Sequence, residues 1–511
     1  MMHDHEKSHS AIRVGKPTNK AGSVPAAEPV EQRAGTKRNA SEQSTHRTQG
    51  WVRVTQALDR VRQAARRRKD GKFTSLFHHL SVDLFRESFF ALKRDAAPGV
   101  DGLTWKEYEA DLELKLANLH SRVQRGAYRA LPSRRVYIPK ADGRQRPLAV
   151  AALEDKIVQK ATVAVLNCIF EEEFLGFSYG SRPKRGAHDA LDALVVGISD
   201  RRVNFIFDAD LVSFFDSVSK EWLIRFVEHR IGDKRIIRLI RKWLKAGVLE
   251  DGVVTVSESG TGQGSVISPL LANVYLHYTF DLWAERWRRR EATGDMIIVR
   301  YADDVIVGFE HGTEARRFWD AMRERLQEFS LSLNTEKTRL IEFGRHAADR
   351  RAQRGLGKPE TFNFLGFTHI SGKSRKGNFL LKRRTRRNRM RAKLREIKEE
   401  LRRRMHQPIP EQGLWLAQVT RGYFAYHAVP TNFSALRAFH HYVMVLWLRT
   451  LKRRSQKDHT TWERIVKLAA DYLPPPKTLH PWPQRRFAVR HPRWEPRAGI
   501  PLARFCAGGG R

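Results

Sequence analysis

Asp295-Met296-Ile297-Ile298-Val299-Arg300-Tyr301-Ala302-Asp303-Asp304-Val305-Ile306-Val307-Gly308-Phe309 is the stretch whose reading decides the fold. Two short β-branched apolar runs flank adjacent carboxylates, a pattern that predicts a β-hairpin with Asp303 and Asp304 at its tight turn. Aspartate favours turns through its own hydrogen bonding, so a solvated turn is the plain alternative. Two like charges held between hydrophobic strands, however, ask for a counter-charge, and a divalent metal supplies one.

A second acidic stretch bears on that choice. Phe205-Ile206-Phe207-Asp208-Ala209-Asp210-Leu211-Val212-Ser213-Phe214-Phe215-Asp216 reads as an aromatic-rich strand running into acidic residues at its end. Carboxylates from separate strands can hold two metals about 3.5–4 Å apart, an arrangement that activates a 3′-hydroxyl and steadies a leaving pyrophosphate. Magnesium suits it, because it keeps waters and shares its coordination with substrate phosphates.

The 511 residues leave room for two or three domains, and 41% hydrophobic content suffices for a core. Ninety-four Lys and Arg against 56 Asp and Glu give a formal charge of +38, which implies a polyanionic partner. Nucleic acid leads over an anionic membrane, since no apolar run approaches the roughly 20 residues of a spanning helix. The richest window, Ala161 to Phe170, is short and interrupted by Asn167. With only Cys168 and Cys506, a disulfide framework and a Cys-rich zinc site are both excluded, which fits a reducing compartment. The N-terminus lacks the apolar region of a secretion signal, so a cytoplasmic location is expected, bacterial by preference, with organelle import left open.

Residues 1–50 hold almost no large apolar side chains and read as a disordered basic leader. His5-Glu6-Lys7-Ser8-His9 matches the H-E-x-x-H zinc pattern by letter, without the packed helix or third ligand that pattern needs. From Trp51 the pattern turns helical, with Leu58, Val61 and Ala65 on one face, and a further helix carries Leu84, Phe89 and Leu92. Arg134 to Leu148 predicts a hairpin turning at Asp142-Gly143, with Lys140 and Arg146 on its two arms, both within reach of one triphosphate. Helices are expected over Glu154–Phe174 and Ile236–Leu244. The glycine-rich Ser259 to Ser265 loop permits close backbone approach to a ligand, and Ser268 and Pro269 are expected as N-cap and first turn of a helix. Gly366 with Gly372-Lys373-Ser374 approximates a P-loop, but its glycine spacing is one residue too long.

Taken in order, Ile138-Pro139-Lys140, Arg146-Pro147-Leu148, Asp210 with Phe215-Asp216, Gln263-Gly264, Ser268 to Asn273 and Tyr301-Ala302-Asp303-Asp304 resemble a reverse transcriptase of the group II intron-encoded maturase family. Leu333, Glu336-Lys337-Thr338 and Phe364-Leu365-Gly366 continue the likeness, which covers about residues 80 to 475. The resemblance implies an α+β right-hand polymerase, fingers and palm over 51–370, with a helical thumb, or X, domain over 376–475 and a basic, proline-rich, extended tail over 476–511. It makes Asp210, Asp303 and Asp304 the catalytic metal ligands for two Mg2+ ions, with Mn2+ an accepted substitute. Phe215 would be the aromatic gate against a ribose 2′-hydroxyl, Lys140 and Arg146 the triphosphate contacts, and Gln263 part of the nucleotide pocket. Gly262, Ser181 and Ala149 to Ala152 depart from the family pattern without removing a catalytic group.

Beyond the palm, Lys382 to Arg389 is expected to open a helix with Met390, Leu394, Ile397, Leu401 and Met405 on one stripe and basic residues on the other face. By the resemblance, Arg383, Arg384, Arg386, Arg387 and Arg421 would contact RNA. Its partners would be group II intron RNA, an RNA template with a DNA primer, and dNTPs, with a homodimer allowed for and no membrane. No H-N-H endonuclease of the family's kind is expected, so primers would come from other machinery. Competing readings are a catalytically silent RNA-binding splicing cofactor, an RNA-templated RNA polymerase and a retron-type or defence-associated reverse transcriptase.

Overall fold

The computed structural model describes residues 45–139, 145–250, 252–256, 259–260, 264–454 and 460–490. The zinc-like motif, the Asp142-Gly143 turn, Lys140 and Gln263 lie outside the described residues.

The first helix, α1 (Thr45–Arg67), begins inside the stretch expected to be leader. Val54, Leu58, Val61 and Ala65 anchor it on the core, after which each added residue costs little, so the helix runs back to Thr45. Ser81 caps α2 (Val82–Phe90) through its side chain, and a Thr104–Glu107 capping box opens α3 (Trp105–Glu109) ahead of α4 (Leu112–Gln124). β1 (Ser133–Pro139) and β2 (Gln145–Val150) form the expected antiparallel ribbon, with Ile138 opposite Arg146. These elements gather around α5 (Leu153–Phe170), whose Ile157, Val158, Ala161, Val165, Leu166 and Ile169 are fully buried. The predicted amphipathic helix is therefore a core helix, apolar on most of its circumference.

Next come α6 (Ala187–Asp200), β3 (Phe205–Ala209), α7 (Phe214–Ser217), α8 (Lys220–Arg230) and α9 (Lys234–Lys245). A short hairpin follows, β4 (Val248–Glu250) and β5 (Val253–Thr255), completing a sheet in the order β2-β1-β4-β5. α10 (Ser268–Leu276) starts one residue earlier than expected: Ile267 is the N-cap and Ser268 the first helical residue, with Pro269 where its missing N–H is harmless. A π-helical turn, His277–Asp281, joins α10 to α11 (Leu282–Arg290).

β6 (Met296–Tyr301), β7 (Asp304–Phe309), α12 (Gly312–Gln327), β8 (Arg339–Glu342) and α13 (Ala347–Gln353) complete the central layer. Its sheet runs β6-β7-β3-β8, antiparallel throughout. One face, with Phe207, Ala209, Ile298, Val305 and Val307, enters the core shared with α5, α10 and α12. The other, with Ile206, Ile297, Val299, Ile306 and Ile341, packs on α6 and on the sheet described next. Burial on both faces is why these strands read as continuous apolar runs rather than alternating ones. α6 comes so close that a Cβ at Gly197 would fall 2.9 Å from Ile297.

β9 (Phe362–Phe364), β10 (Phe367–Lys373) and β11 (Phe379–Thr385) form a small sheet, its first turn carrying Leu365 and Gly366 at positive φ. This sheet corrects the reading of Lys382 to Arg389 as a helix start: β11 continues to Thr385, and α14 (Arg387–Arg403) begins only after it. α15 (Ile409–His427), α16 (Phe433–Lys452) and α17 (Trp462–Tyr472) follow and enclose a separate core of Ile397, Leu401, Leu416, Phe424, Leu436, Phe439, Val443 and Trp447. The segment after residue 476 was expected to be extended, yet part of it forms α18 (Pro483–Arg490) on α6, because Phe487 is buried in the apolar cluster to which α6 also contributes.

Candidate active site

β6 and β7 pair from Met296 with Phe309 to Tyr301 with Asp304, so Ala302 and Asp303 alone make the turn. The adjacent carboxylates are thereby split. Asp303 sits at the tip, whereas Asp304 is the exposed first residue of β7. Ala302 has φ +53°, a conformation that costs a residue with a Cβ and persists only under external constraint.

Arg300 supplies much of that constraint. Its guanidinium, fully buried, donates to both Asp281 oxygens at 2.7 and 2.6 Å, to Asn273 Oδ1 at 3.0 Å, to Ser178 Oγ at 2.7 Å and to the Ala302 carbonyl at 2.9 Å. All five guanidinium donors are engaged, the condition under which a buried charge is tolerated. Gly180 closes the other side: a Cβ there would lie 2.3 Å from the Ala302 nitrogen. Asn273 Nδ2 donates to the Gly180 carbonyl at 2.8 Å, so α10, the Ser178 loop and the turn form one hydrogen-bonded unit.

Asp210 arrives from the adjacent strand. β3 pairs with β7 as far as Ala209 with Val305, and one further step in this register brings Asp210 level with Asp304. Burial, reinforced by the Asp210 charge, holds the Asp303 carboxyl above its usual range, while Arg146 and Arg300 pull it down. Asp210, Asp303 and Arg146 therefore share one electrostatic neighbourhood although they come from three separate parts of the chain. Asp208 is pushed up to about 6, chiefly by burial, with Arg339 and the more distant Arg386 opposing.

Lys337, to which the sequence assigns no role, ion-pairs with Asp210 at 2.9 Å. The same loop holds the Asp210 backbone, since Asn334 N–H donates to its carbonyl at 2.8 Å and Thr338 Oγ1 accepts from its N–H at 3.4 Å. Arg300 had a detectable signal, a charge inside an otherwise apolar strand. Asn273 was marked only as part of the Ser268 to Asn273 stretch, and Asp281 had no signal, because a π-helical turn does not follow the period of the helix around it.

Phe215 is the second residue of α7, which begins directly after Ser213, another residue at positive φ, +41°, and its ring lies 5.4 Å from that of Phe214. The glycine loop presses on it, with Gly260 N–H donating to Val218 O at 2.8 Å and a Gly260 Cβ falling 3.1 Å from the Phe215 carbonyl. Of the arginines expected to contact RNA, Arg383 is corrected: it is 1% exposed and pairs with Asp192 at 3.4 Å, because its strand position points it into the junction with α6. Arg384, Arg387 and Arg421 are exposed and Arg386 is half-buried.

The family profile for reverse transcriptase (RNA-dependent DNA polymerase) matches residues 138–369, which span the ribbon, the central sheet and both acidic strands. Escherichia coli (strain K12) protein YkfC is 34% identical over 279 residues, 48% of this chain and 72% of that protein. The chain belongs to the reverse transcriptase family. The group II intron-encoded protein LtrA of Lactococcus lactis subsp. cremoris is 32% identical over 222 residues, 43% of this reverse transcriptase but 37% of LtrA's own length. Nuclear intron maturase 3, mitochondrial, of Arabidopsis thaliana is 25% identical over 221 residues, 37% of this chain and 29% of that one. The matched region thus has a right-hand polymerase-like fold, built here of mixed helix and sheet. Among the described residues no helix is long and apolar enough to cross a membrane.

Reverse transcriptases use divalent metal ions. Among the described residues no three His, Cys, Asp or Glu side chains are placed to enclose an ion by themselves. A hard cation of this kind needs only one or two carboxylates, completing its shell with water and substrate phosphate. A half-buried carboxylate whose ionisation is opposed by a second one has the chemistry for that role, and Asp303 beside Asp210 is such a pair.

Proposed function

We propose that the chain is an RNA-directed DNA polymerase associated with a group II intron, extending a DNA primer on intron RNA with dNTPs and assisting that RNA to splice. The observation that supports the reading is the sheet register that carries Asp210, at the end of β3, to the level of the Asp303–Asp304 turn, with Arg146 acting on the same carboxyl as a cation able to meet phosphate. Asp210 and Asp303 would hold two Mg2+ ions, with Asp304 at the outer edge. Bound there, such ions supply a lowered pKa for the primer 3′-hydroxyl and neutralise the leaving pyrophosphate. The protein's own share is positioning and charge: Arg146, with Lys140, meets the triphosphate, and Phe215 on its strained turn bars a 2′-hydroxyl. The helices α14 to α17 would be the thumb, or X, domain, with Arg384, Arg386, Arg387 and Arg421 facing the RNA backbone.

Primer extension on a primed RNA with Mg2+ and dNTPs tests this. Asp303→Ala should abolish incorporation while leaving RNA affinity within about twofold. Extension undiminished in that variant would refute the site. A wild-type protein that binds RNA but never extends would leave the splicing-cofactor reading in its place.

A further inference from the structure

On the outer side of α16 lies a groove that the polymerase chemistry does not use. It encloses about 500 Å³ and is lined by Ser434, Arg437, His441 and Tyr442 of α16, Trp462 at the start of α17, and Pro476. Residues 434, 437, 438, 441 and 442 recur at helical spacing, so they form one stripe, opposite the buried Leu436, Phe439, Val443 and Trp447. Tyr442 is 51% and Trp462 40% exposed, which is unusual for rings of this size beside a well-filled core. The His441 ring joins them, 5.3 Å from Trp462 and 5.8 Å from Tyr442 by centroid. Cations border the groove: Arg437 lines it, Arg384 donates to Ser434 Oγ at 2.7 Å, and Lys477 follows Pro476. Among the described residues no carboxylate lines it, Glu463 beside Trp462 being the nearest acid in sequence.

We infer that this groove binds an unpaired base of single-stranded RNA, stacked against Tyr442 and Trp462 while Arg437 and Arg384 meet the flanking phosphates. Exposed rings interleaved with cations suit a polyanion that carries flat faces, and the +38 charge of the chain draws such a partner. A duplex offers phosphates but keeps its bases stacked inward, so the rings select the single strand. The inference rests on the nucleic-acid reading above but not on the carboxylate site.

The test uses the full chain, a single-stranded RNA oligomer containing 2-aminopurine, and the same oligomer in a blunt duplex. Stacking should quench the fluorophore in the single strand and not in the duplex. Tyr442→Ala combined with Trp462→Ala should abolish the quench and weaken single-strand binding about tenfold or more. Duplex affinity, the salt slope, the thermal midpoint and extension of a short pre-annealed primer–template should stay at wild-type values. Tyr442→Phe should bind as wild type, and Arg437→Gln should reduce the salt slope by about one. Unchanged single-strand affinity in the double variant overturns the inference, as does equal loss for single strand and duplex. If wild type never extends a primer, the polymerase reading fails while the groove is judged by its own binding data.

Discussion

A single guanidinium fixes the geometry on which the carboxylates depend. Arg300 reaches α10, the π-helical turn, the Ser178 loop and the Ala302 carbonyl at once, so it is a positioning residue for the Asp303 turn. Lysine keeps the charge but lacks the planar fork, and leaves Asp281 only partly compensated in a site with no water access. Arg300→Met should therefore destabilise the fold by about 3–5 kcal/mol, with Arg300→Lys somewhat milder. In Arg300→Lys, at a temperature where circular dichroism shows the protein folded, extension should fall far more than RNA affinity. Parallel loss of both would reduce Arg300 to a purely structural group. At this scale the sequence revealed the carboxylates, through their apolar flanks, and concealed their supports. Lys337 and Asp281 are ordinary charged residues whose meaning lies in a partner 127 or 19 positions away.

Among elements, the hairpin of β6 and β7 was legible because two β-branched runs and a short acidic link admit few alternatives. The ribbon of β1 and β2 was legible for similar reasons. β11 was not, since its run of basic residues resembles the polar face of the helix that follows, and alternation is invisible when Lys382 and Arg384 flank another arginine that turns inward. That inward arginine makes a specific claim. Asp192 is 2% exposed and receives Arg383 from β11 and Arg486 from α18. Arg383→Ala should lower stability by about 3 kcal/mol, the cost of opening a buried ion pair, and leave RNA affinity nearly unchanged. A variant as stable as wild type but weak for RNA would return Arg383 to the binding surface. Phe487→Ala should cost a similar amount through the cavity it leaves.

Across the whole molecule, buried neutral histidines set the response to acid. Burial pushes His188 down to about 2, His369 and His427 to about 3 and His277 to about 4. Each native ring resists a proton that the unfolded chain accepts near pH 6.5, so stability is full above that value and declines as pH falls toward the native pKa values. Asp155 and Asp208, both raised to about 6, act in the opposite sense, because the native state takes up their protons first. Linkage gives roughly 0.7 kcal/mol per histidine between pH 7 and 6, and about half that, opposed, for each carboxyl. For these six groups together the loss should be on the order of 2 kcal/mol, visible as a lower urea midpoint at pH 6 than at pH 7. An unchanged midpoint would mean that those rings are hydrated in solution. None of this was readable in advance, because a histidine's burial is decided by the tertiary packing around it.

The contact of α18 with α6 joins residues 294 positions apart through Arg486 and Asp192. A ribosome making this chain has therefore released the strands of the central sheet long before it supplies the helix that covers α6. Until Phe487 emerges, newly made molecules display an apolar surface on the α6 side of the central sheet, a surface that chaperones recognise. Truncated translation products ending before Pro483 should consequently aggregate or be degraded even though every acidic residue of the site has already been synthesised.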